Sequence, residues 1–320
     1  MSAPVVALLE AFDAPTKDQL RHIIGDRLQL VFTPDNRSNT RAAALADAEY
    51  AVIRSVPLEP DLLAAAPRLK LIHQWGTGTD GIPLKAAHHR GIVVARSPGL
   101  NAPSVADLTI GLMLACRRRI PQADALIRAG GWAEPDLYST GRDLTGARVG
   151  LVGLGAIGRQ VMRRLSGFDC DVAYTRSSGA DPAVPGHMEL ERLVSWADVL
   201  SLHLPLTPST RHLMDRDRLA AMPRGAFLVN TARGGLVDEV ALAAALSSGH
   251  LGGAAIDAFS QEPPAPENAL LSAPNTVLSA HSGGRCRENF HRIVRHWSDN
   301  IIAHAGGAGI DPACIVVPPD

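Results

Sequence analysis

Short apolar runs rich in β-branched residues alternate with stretches of helical periodicity along this chain of 320 residues. In the first hundred residues the predicted strands are VVALL, LQLVF, YAVIR, LKLIHQ and GIVVAR, and segments such as DLLAAAP and PLKAAHHR suit helices between them. A second series of predicted strands consists of ARVGLVG, DVAYT, DVLSLHL, AFLVN, GGAAID and TVLSA. Strands that alternate with helices favour parallel sheets covered by helices. The pattern therefore predicts an α/β protein in two halves, and six strands is the count of a dinucleotide-binding, doubly wound sheet.

The composition is that of an ordinary globular protein, and it excludes several function classes. The formal net charge of −1 gives no general attraction to nucleic acid or to an anionic membrane. We find no apolar run long enough to span a bilayer. The apolar run near the N-terminus has no basic region before it, so we interpret it as a first strand rather than a signal peptide. Four cysteines without a Cys-x-x-Cys pair predict neither a disulfide framework nor a metal site, and they indicate a reducing cytoplasm.

A glycine-rich turn in the run VGLVGLGAIGRQV predicts a dinucleotide site. Gly153 permits a tight turn, Gly155 lets the backbone approach a pyrophosphate, and Gly158 lets the following helix pack on the strand. Ala156 and Ile157 begin that helix, whose unpaired N–H groups would face the phosphates. Glycines at this spacing are weak evidence alone, but a strand before them, a helix after them and five further strands supply the required context.

The end of the next strand indicates which nucleotide binds. An NAD site has an acidic residue there that accepts hydrogen bonds from the ribose hydroxyls. The sequence has Thr175, Arg176 and Ser177 instead, and the nearby Asp169 and Asp171 fall at the wrong end of the strand. An arginine with neighbouring hydroxyls can hold a 2′-phosphate, so we favour NADP(H). Because 28 of the 31 basic residues are arginines, an ordinary surface arginine and an NAD(H) site remain the alternative.

Three side chains with catalytic chemistry follow the later strands of the second series. Arg233 comes after AFLVN, Glu262 after GGAAID, and His281 after TVLSA. Ligands of doubly wound sheets bind outside the carboxyl ends of the strands. Each residue alone has an ordinary structural explanation, but the three together at that edge predict an active site.

Several ordered stretches carry a family resemblance over nearly the whole chain. They are GTGTDGIPLKAAHHRGIVVARSPGLNAPSVADLTIGLML, LVGLGAIGRQV, ADVLSLHLPLTPSTRHLM, LVNTARGGLVDEVALAAAL, GGAAIDAFSQEPP and HSGG. With these stretches the chain resembles the D-isomer-specific 2-hydroxyacid dehydrogenases. The resemblance implies that Arg233, Glu262 and His281 are the catalytic set. Arg233 would hold the substrate carboxylate and polarise the 2-oxo group, and His281 would donate the proton, with Glu262 favouring its charged form.

The same resemblance implies further binding residues. On the cofactor side they are His203, Pro205, Thr210, Thr231, Ala232 and Asp257, of which Asp257 would contact the nicotinamide carboxamide. On the substrate side they are Arg54, Ser55, Trp75, Gly76, Thr77 and Gly78. The backbone at Thr77 and Gly78 would receive the substrate carboxylate.

The resemblance also predicts the domain organisation. A Rossmann-type doubly wound parallel sheet at residues 101–285 would be inserted into a flavodoxin-like substrate domain made of residues 1–100 and 286–320. The long helical segment Ala102–Arg119 would suit a homodimer. At Arg176 the chain resembles the NADP-preferring glyoxylate and hydroxypyruvate reductases.

We therefore predict a cytoplasmic NADPH-dependent reductase of a small 2-oxo acid, with glyoxylate and hydroxypyruvate as the leading substrates. One alternative is an NAD-preferring D-2-hydroxyacid dehydrogenase of another substrate. Another is a dinucleotide sensor similar to the C-terminal-binding corepressors, which share this fold. Formate dehydrogenase chemistry is disfavoured because the histidine's partner there is a glutamine, whereas this chain has Glu262.

Overall fold

The computed structural model describes residues 3–132 and 137–317. The strands are β1 (Val5–Leu8), β2 (Gln29–Phe32), β3 (Tyr50–Ile53), β4 (Leu71–Gln74), β5 (Val93–Ala95), β6 (Arg148–Val152), β7 (Asp171–Thr175), β8 (Val199–Leu202), β9 (Phe227–Asn230), β10 (Gly253–Ile256) and β11 (Thr276–Leu278). The α-helices are α1 (Ala14–Ile24), α2 (Ser38–Leu45), α3 (Leu84–His89), α4 (Ala102–Arg117), α5 (Ile120–Arg128), α6 (Leu137–Thr140), α7 (Ala156–Leu165), α8 (Leu190–Trp196), α9 (Arg216–Ala221), α10 (Glu239–Ser247) and α11 (Arg287–Ala305).

Residue contacts divide the chain into two compact units. Unit 1 consists of Met1–Asn101 and Arg287–Asp320, and unit 2 of Ala102–Cys286. Each unit contains one sheet in which the paired strands are parallel. The prediction of two parallel α/β sheets is confirmed.

The sheet of unit 1 has the strand order β2-β1-β3-β4-β5, which is the flavodoxin-like order. Strands β3 and β4 are buried along their whole length, as expected for parallel strands covered on both faces. One side of the core is aromatic. The ring of Trp75 lies 5.6 Å from that of Phe290 and 6.1 Å from that of Trp297, centroid to centroid.

The sheet of unit 2 has the order β11-β10-β9-β8-β6-β7. His187 extends it beyond β7 through an isolated parallel bridge to Tyr174. When this bridge is counted as the third strand, the order becomes 3-2-1-4-5-6-7, which is the 3-2-1-4-5-6 of dinucleotide-binding sheets with β11 added as a further strand. Helix α4 packs on α7 and on the strands β9 to β11. The carboxyl ends of β6 to β11 therefore lie along one edge, and the predicted site residues of this unit follow those ends.

Two further observations concern the surroundings of the protein. Within residues 3–132 and 137–317, every helix is too short or too polar to cross a bilayer. All four cysteines are free thiols, and two of them, Cys116 and Cys314, are buried.

Candidate active site

The glycine turn after β6 forms a closely packed cradle. Gly153 has φ +104°, and a Cβ there would overlap the carbonyl oxygen of His203. A Cβ on Gly158 would overlap the carbonyl oxygen of Gly153. Both positions therefore require glycine for the fold itself.

Gly155 differs from the other two glycines because a Cβ there would meet open space. It precedes Ala156 and Ile157, the first residues of α7, and no side chain caps this helix. Its first N–H groups are thus left for another acceptor. Open space in front of an uncapped helix N-terminus fits the pyrophosphate of a dinucleotide.

His203 lies beneath this cradle at the end of β8. Its side chain is buried, and Nε2 lies 3.0 Å from the hydroxyl of Ser201. Burial lowers the pKa of His203 to about 4, so the ring is neutral at pH 7. Among the described residues Nδ1 has no hydrogen-bond partner. An unpaired buried nitrogen next to the cradle is a second feature that fits a polar ligand.

The loop after His203 is a compact turn. The Thr210 hydroxyl donates to the carbonyl of Pro205 at 2.8 Å and accepts the N–H of Thr207 at 2.7 Å. These bonds hold Pro205 and Thr210 in a defined position at the carboxyl edge of the sheet. Both residues were predicted on the cofactor side.

At the end of β7, Arg176 belongs to a small charged cluster. Its Nε donates to the carbonyl of Gly179 at 2.7 Å, and its Nη1 lies 3.4 Å from the carboxylate of Asp181. Arg159, one turn into α7, also pairs with Asp181. The hydrogen bond from Arg159 is the main reason that the pKa of Asp181 is lowered. Two arginines and one carboxylate leave a net positive charge next to the half-buried Thr175.

Glu262 and His281 form a pair at the ends of β10 and β11. The Nδ1 atom of His281 lies 2.9 Å and 2.8 Å from the two carboxylate oxygens of Glu262. The backbone N–H of Phe259 also donates to Glu262, at 3.1 Å. A carboxylate at Nδ1 holds the proton on that nitrogen and leaves Nε2 for another partner. Both side chains remain partly exposed.

Asp257, at the end of β10, fastens the loop that carries His281. Its Oδ1 accepts the Ser279 hydroxyl at 2.6 Å and the Ser282 N–H at 2.8 Å, and its Oδ2 accepts the Gly283 N–H at 2.9 Å. Its backbone carbonyl accepts the N–H of His281 at 2.7 Å. These bonds surround His281, which has φ +47°, a conformation that costs energy in a residue other than glycine.

Arg233 follows β9 directly after Thr231 and Ala232. Its Nη1 donates to the Ala232 carbonyl at 2.8 Å. The side chain of Thr231 is buried, and its hydroxyl lies 2.8 Å from that of Thr109 on α4. The side chain of Asn230 closes the turn, because its Nδ2 donates to the carbonyl of Arg233 at 2.9 Å and its Oδ1 accepts the N–H of Ala232 at 3.0 Å.

The loop that carries Arg233 packs against the loop that carries Glu262. A Cβ on Gly234 would overlap the backbone around Ser260. The carboxylate of Glu239, at the start of α10, accepts the N–H of Ser260 at 2.7 Å. The structure therefore brings these two loops together through the close approach of the backbone at Gly234 and through the carboxylate of Glu239.

The predicted substrate residues lie in unit 1. The guanidinium of Arg54 donates twice to Oε1 of Glu10, at 3.1 Å and 2.6 Å, and stacks over the ring of Phe12 at 4.8 Å. The N–H of Ser55 donates to the other oxygen of Glu10 at 2.9 Å. Glu10 thereby fixes the loop after β3.

The loop after β4 holds the remaining predicted substrate residues. Trp75 is buried in the aromatic core of unit 1. The Thr77 hydroxyl donates to the Ser97 carbonyl at 3.0 Å, and the carbonyl of Gly76 accepts the N–H of Ser97 at 2.8 Å. Gly78 is half-buried. These contacts tie the loop to the segment after β5.

Sequence reasoning missed two contributors, Asp181 and Glu10, and a second role of Asp257. Asp181 lies five residues beyond Arg176, and no motif marks it as the partner of two arginines. Glu10 is 44 residues from Arg54, so their pairing depends on the order of the strands. Asp257 was predicted only as a cofactor contact, and its bonds to the His281 loop follow from the adjacency of β10 and β11.

Comparison with known proteins adds to this geometry. The family model of the D-isomer specific 2-hydroxyacid dehydrogenase NAD binding domain matches residues 110–283. A glyoxylate reductase of Thermofilum pendens is 40% identical over 253 residues, which cover 77% of this chain and 75% of the relative. A hydroxypyruvate reductase of Thermotoga maritima is 39% identical over 270 residues, which cover 81% of this chain and 86% of the relative.

Solved structures agree with the fold. The NADPH-dependent glyoxylate/hydroxypyruvate reductase of Sinorhizobium meliloti, in complex with NADP and malonate, superposes with a TM-score of 0.83 at 29% identity. That match covers 98% of this chain and 97% of the other. The chain is an oxidoreductase that belongs to the family of NAD(P)-dependent D-isomer-specific 2-hydroxyacid dehydrogenases.

Proposed function

We propose that the protein reduces glyoxylate or hydroxypyruvate to the corresponding 2-hydroxy acid with NADPH. The observation that carries this proposal is the pair of Glu262 and His281, in which Nδ1 lies within 2.9 Å of both carboxylate oxygens. A histidine oriented in this way presents Nε2 as a proton donor. The relatives named glyoxylate reductase and hydroxypyruvate reductase support the choice of substrates.

In this mechanism the substrate is held by its carboxylate. Arg233 would bind it with a planar pair of N–H donors. The nicotinamide cofactor, when bound, supplies the hydride for C2 of the 2-oxo acid. His281 would donate the proton from Nε2 to the 2-oxo oxygen, and Glu262 would stabilise the imidazolium before that transfer.

The preference for NADPH rests on the cluster at the end of β7. Arg159 and Arg176 share the single carboxylate of Asp181, so the cluster keeps one net positive charge. The Nε and Nη1 atoms of Arg176 are engaged within the loop, which leaves its Nη2 for a 2′-phosphate. The half-buried Thr175 and the exposed Ser177 flank it with hydroxyls. NADH is the alternative cofactor, and it would leave this positive charge without a ligand.

Domain roles and assembly belong to the same proposal. Unit 2 would bind the dinucleotide, and unit 1 would bind the substrate. Helix α5 buries none of its side chains, and Ile120, Ile127 and the nearby Trp132 are exposed. Exposed apolar side chains of this size suit a homodimer contact, which light scattering at micromolar concentration would detect. A cytoplasmic location is also part of the proposal.

The test is the initial rate of reduction of glyoxylate, hydroxypyruvate and pyruvate, each with NADPH and with NADH. We expect turnover of the first two with NADPH. His281→Gln should lower kcat by roughly a hundredfold or more while leaving the affinity for NADPH unchanged. His22→Gln removes an exposed histidine on α1 and serves as the control. Full activity of the His281 variant would eliminate it as the proton donor.

A further inference from the structure

A cavity of about 330 Å³ lies at the opposite end of the unit 2 sheet from the site described above. Its walls include Ala147, Asp198 and Ala226, which directly precede β6, β8 and β9. It therefore opens at the amino ends of the strands, whereas the predicted cofactor residues follow the carboxyl ends. The arginines that line it are Arg117, Arg142 and Arg224.

Arg117, the last residue of α4, is a buried cation with unused donor capacity. Its side chain is 5% exposed, and its guanidinium stacks over the ring of Phe227 at 5.1 Å. Nη2 donates to the carbonyl of Asp143 at 2.5 Å, but Nε has no partner among the described residues. Burial lowers the pKa of Arg117, and the nearby carboxylates of Asp198 and Asp143 offset this only in part. A buried charge of this kind gains free energy when an anion approaches it.

The carboxylates of the cavity, Asp143 and Asp198, compensate the charge of Arg117 only in part, because each makes its ion pair with another arginine. Asp143 pairs with Arg118 at 3.0 Å, outside the cavity lining. Asp198 accepts two bonds from Arg148, at 3.1 Å and 2.7 Å. Each acidic side chain is therefore matched by an arginine that does not line the cavity.

The two arginines at the rim add to the surplus of positive charge. Arg142 and Arg224 are both exposed. Arg142 donates through Nη1 to the carbonyls of Ser139 and Gly141, at 2.7 Å and 3.0 Å, which orients its guanidinium. Together with Arg117, three arginines line one small volume. The two carboxylates that also line it form their ion pairs with Arg118 and Arg148, which lie outside the lining.

We propose that this cavity is a second binding site, distinct from the active site, for a small phosphate-class anion. The guanidinium groups of Arg142 and Arg224 can offer N–H donors to tetrahedral oxygens, an arrangement that suits phosphate, and the buried Arg117 adds its positive charge. The anion could be free phosphate or the phosphate group of a metabolite, and the two sources share the same contacts.

The experiment is a calorimetric titration of the full-length protein with inorganic phosphate at constant ionic strength. The protein is first saturated with its dinucleotide so that the cofactor site cannot bind the anion. The test variant is Arg142→Gln/Arg224→Gln, because both residues are exposed and their loss should not disturb folding. Arg192→Gln/Arg216→Gln removes the same charge from exposed positions elsewhere in unit 2 and is the matched control.

We expect saturable binding of phosphate by the wild type and the control, weakened by about tenfold or more in the test variant. Glycerol 3-phosphate distinguishes the two sources: tighter binding than phosphate assigns the site to a phosphate ester, and equal or weaker binding to the free ion. The proposal is overturned if the wild type binds no phosphate above the chloride background. It is equally overturned if the two double variants behave alike. Arg224→Gln alone, checked by its melting temperature, replaces the double variant should that one unfold.

Discussion

Replacing Asp257 by asparagine tests how the loop of His281 is held. The carboxylate accepts bonds from Ser279 and Ser282 on one oxygen and from the N–H of Gly283 on the other. Asparagine can keep the first oxygen, but its NH₂ group then faces the N–H of Gly283. One charge-assisted bond is lost, and a buried donor is left unsatisfied.

The expected loss of stability follows from the hydrogen bonds that asparagine cannot make. Loss of a hydrogen bond to a charged group, together with weakening of the others, should lower the free energy of unfolding by about 2–4 kcal/mol. For a unit of this size the melting temperature should fall by roughly 5–15 °C. Because the backbone at His281 has φ +47°, a loosened loop should relax away from that conformation, and kcat should fall by about tenfold or more.

The assay pairs a thermal melt without cofactor with initial rates at saturating NADPH. Asp215→Asn is the control, because Asp215 caps α9 by accepting the N–H of Arg218 and asparagine caps a helix equally well. The control should match the wild type in both measurements. A variant at 257 with the melting temperature and kcat of the wild type would refute the conclusion that Asp257 holds this loop.

Two further predictions concern the cofactor and the response to pH. Arg176→Asp should shift the ratio of kcat/KM for NADPH over NADH toward NADH by roughly ten- to a hundredfold, while Arg192→Asp leaves it unchanged; an unaltered ratio would make Arg176 an ordinary surface residue. Burial lowers the pKa of His73 from 6.5 to about 3, so the unfolded chain binds a proton that the folded chain does not as the pH falls below 6.5. Because of this group, the free energy of unfolding should fall by about 2 kcal/mol from pH 7 to pH 5. Urea melts at the two pH values should show a smaller fall in the free energy of unfolding for His73→Leu than for the wild type.

The fold could be predicted because its strands are parallel and buried on both faces. Such strands are continuous apolar runs, and β8, β9 and β10 are buried at every position. The short edge pairing at His187 escaped prediction because a single bridged residue leaves no such pattern.

The geometry of the candidate site could be predicted where local backbone contacts impose the residue, and elsewhere it could not. Gly153 and Gly158 are identifiable because no larger residue fits their backbone contacts. The pairing of Asp181 with Arg159 spans 22 residues, and the pairing of Glu10 with Arg54 spans 44. Ion pairs of that kind depend on which strands become neighbours, and single-sequence patterns do not contain that information.

The three glycines of the turn after β6 experience different evolutionary constraints. A side chain at Gly153 or Gly158 collides with the protein's own backbone, so a change there is selected against even in a molecule that never meets a nucleotide. A methyl group at Gly155 would collide with none of the residues that the structure describes. The steric reason for a glycine at this position therefore lies in the space that a ligand would occupy. In a homologue that keeps the fold but no longer binds the cofactor, we expect Gly155 to be replaced before Gly153 or Gly158. The residue at this position would then indicate whether a homologue still binds a dinucleotide.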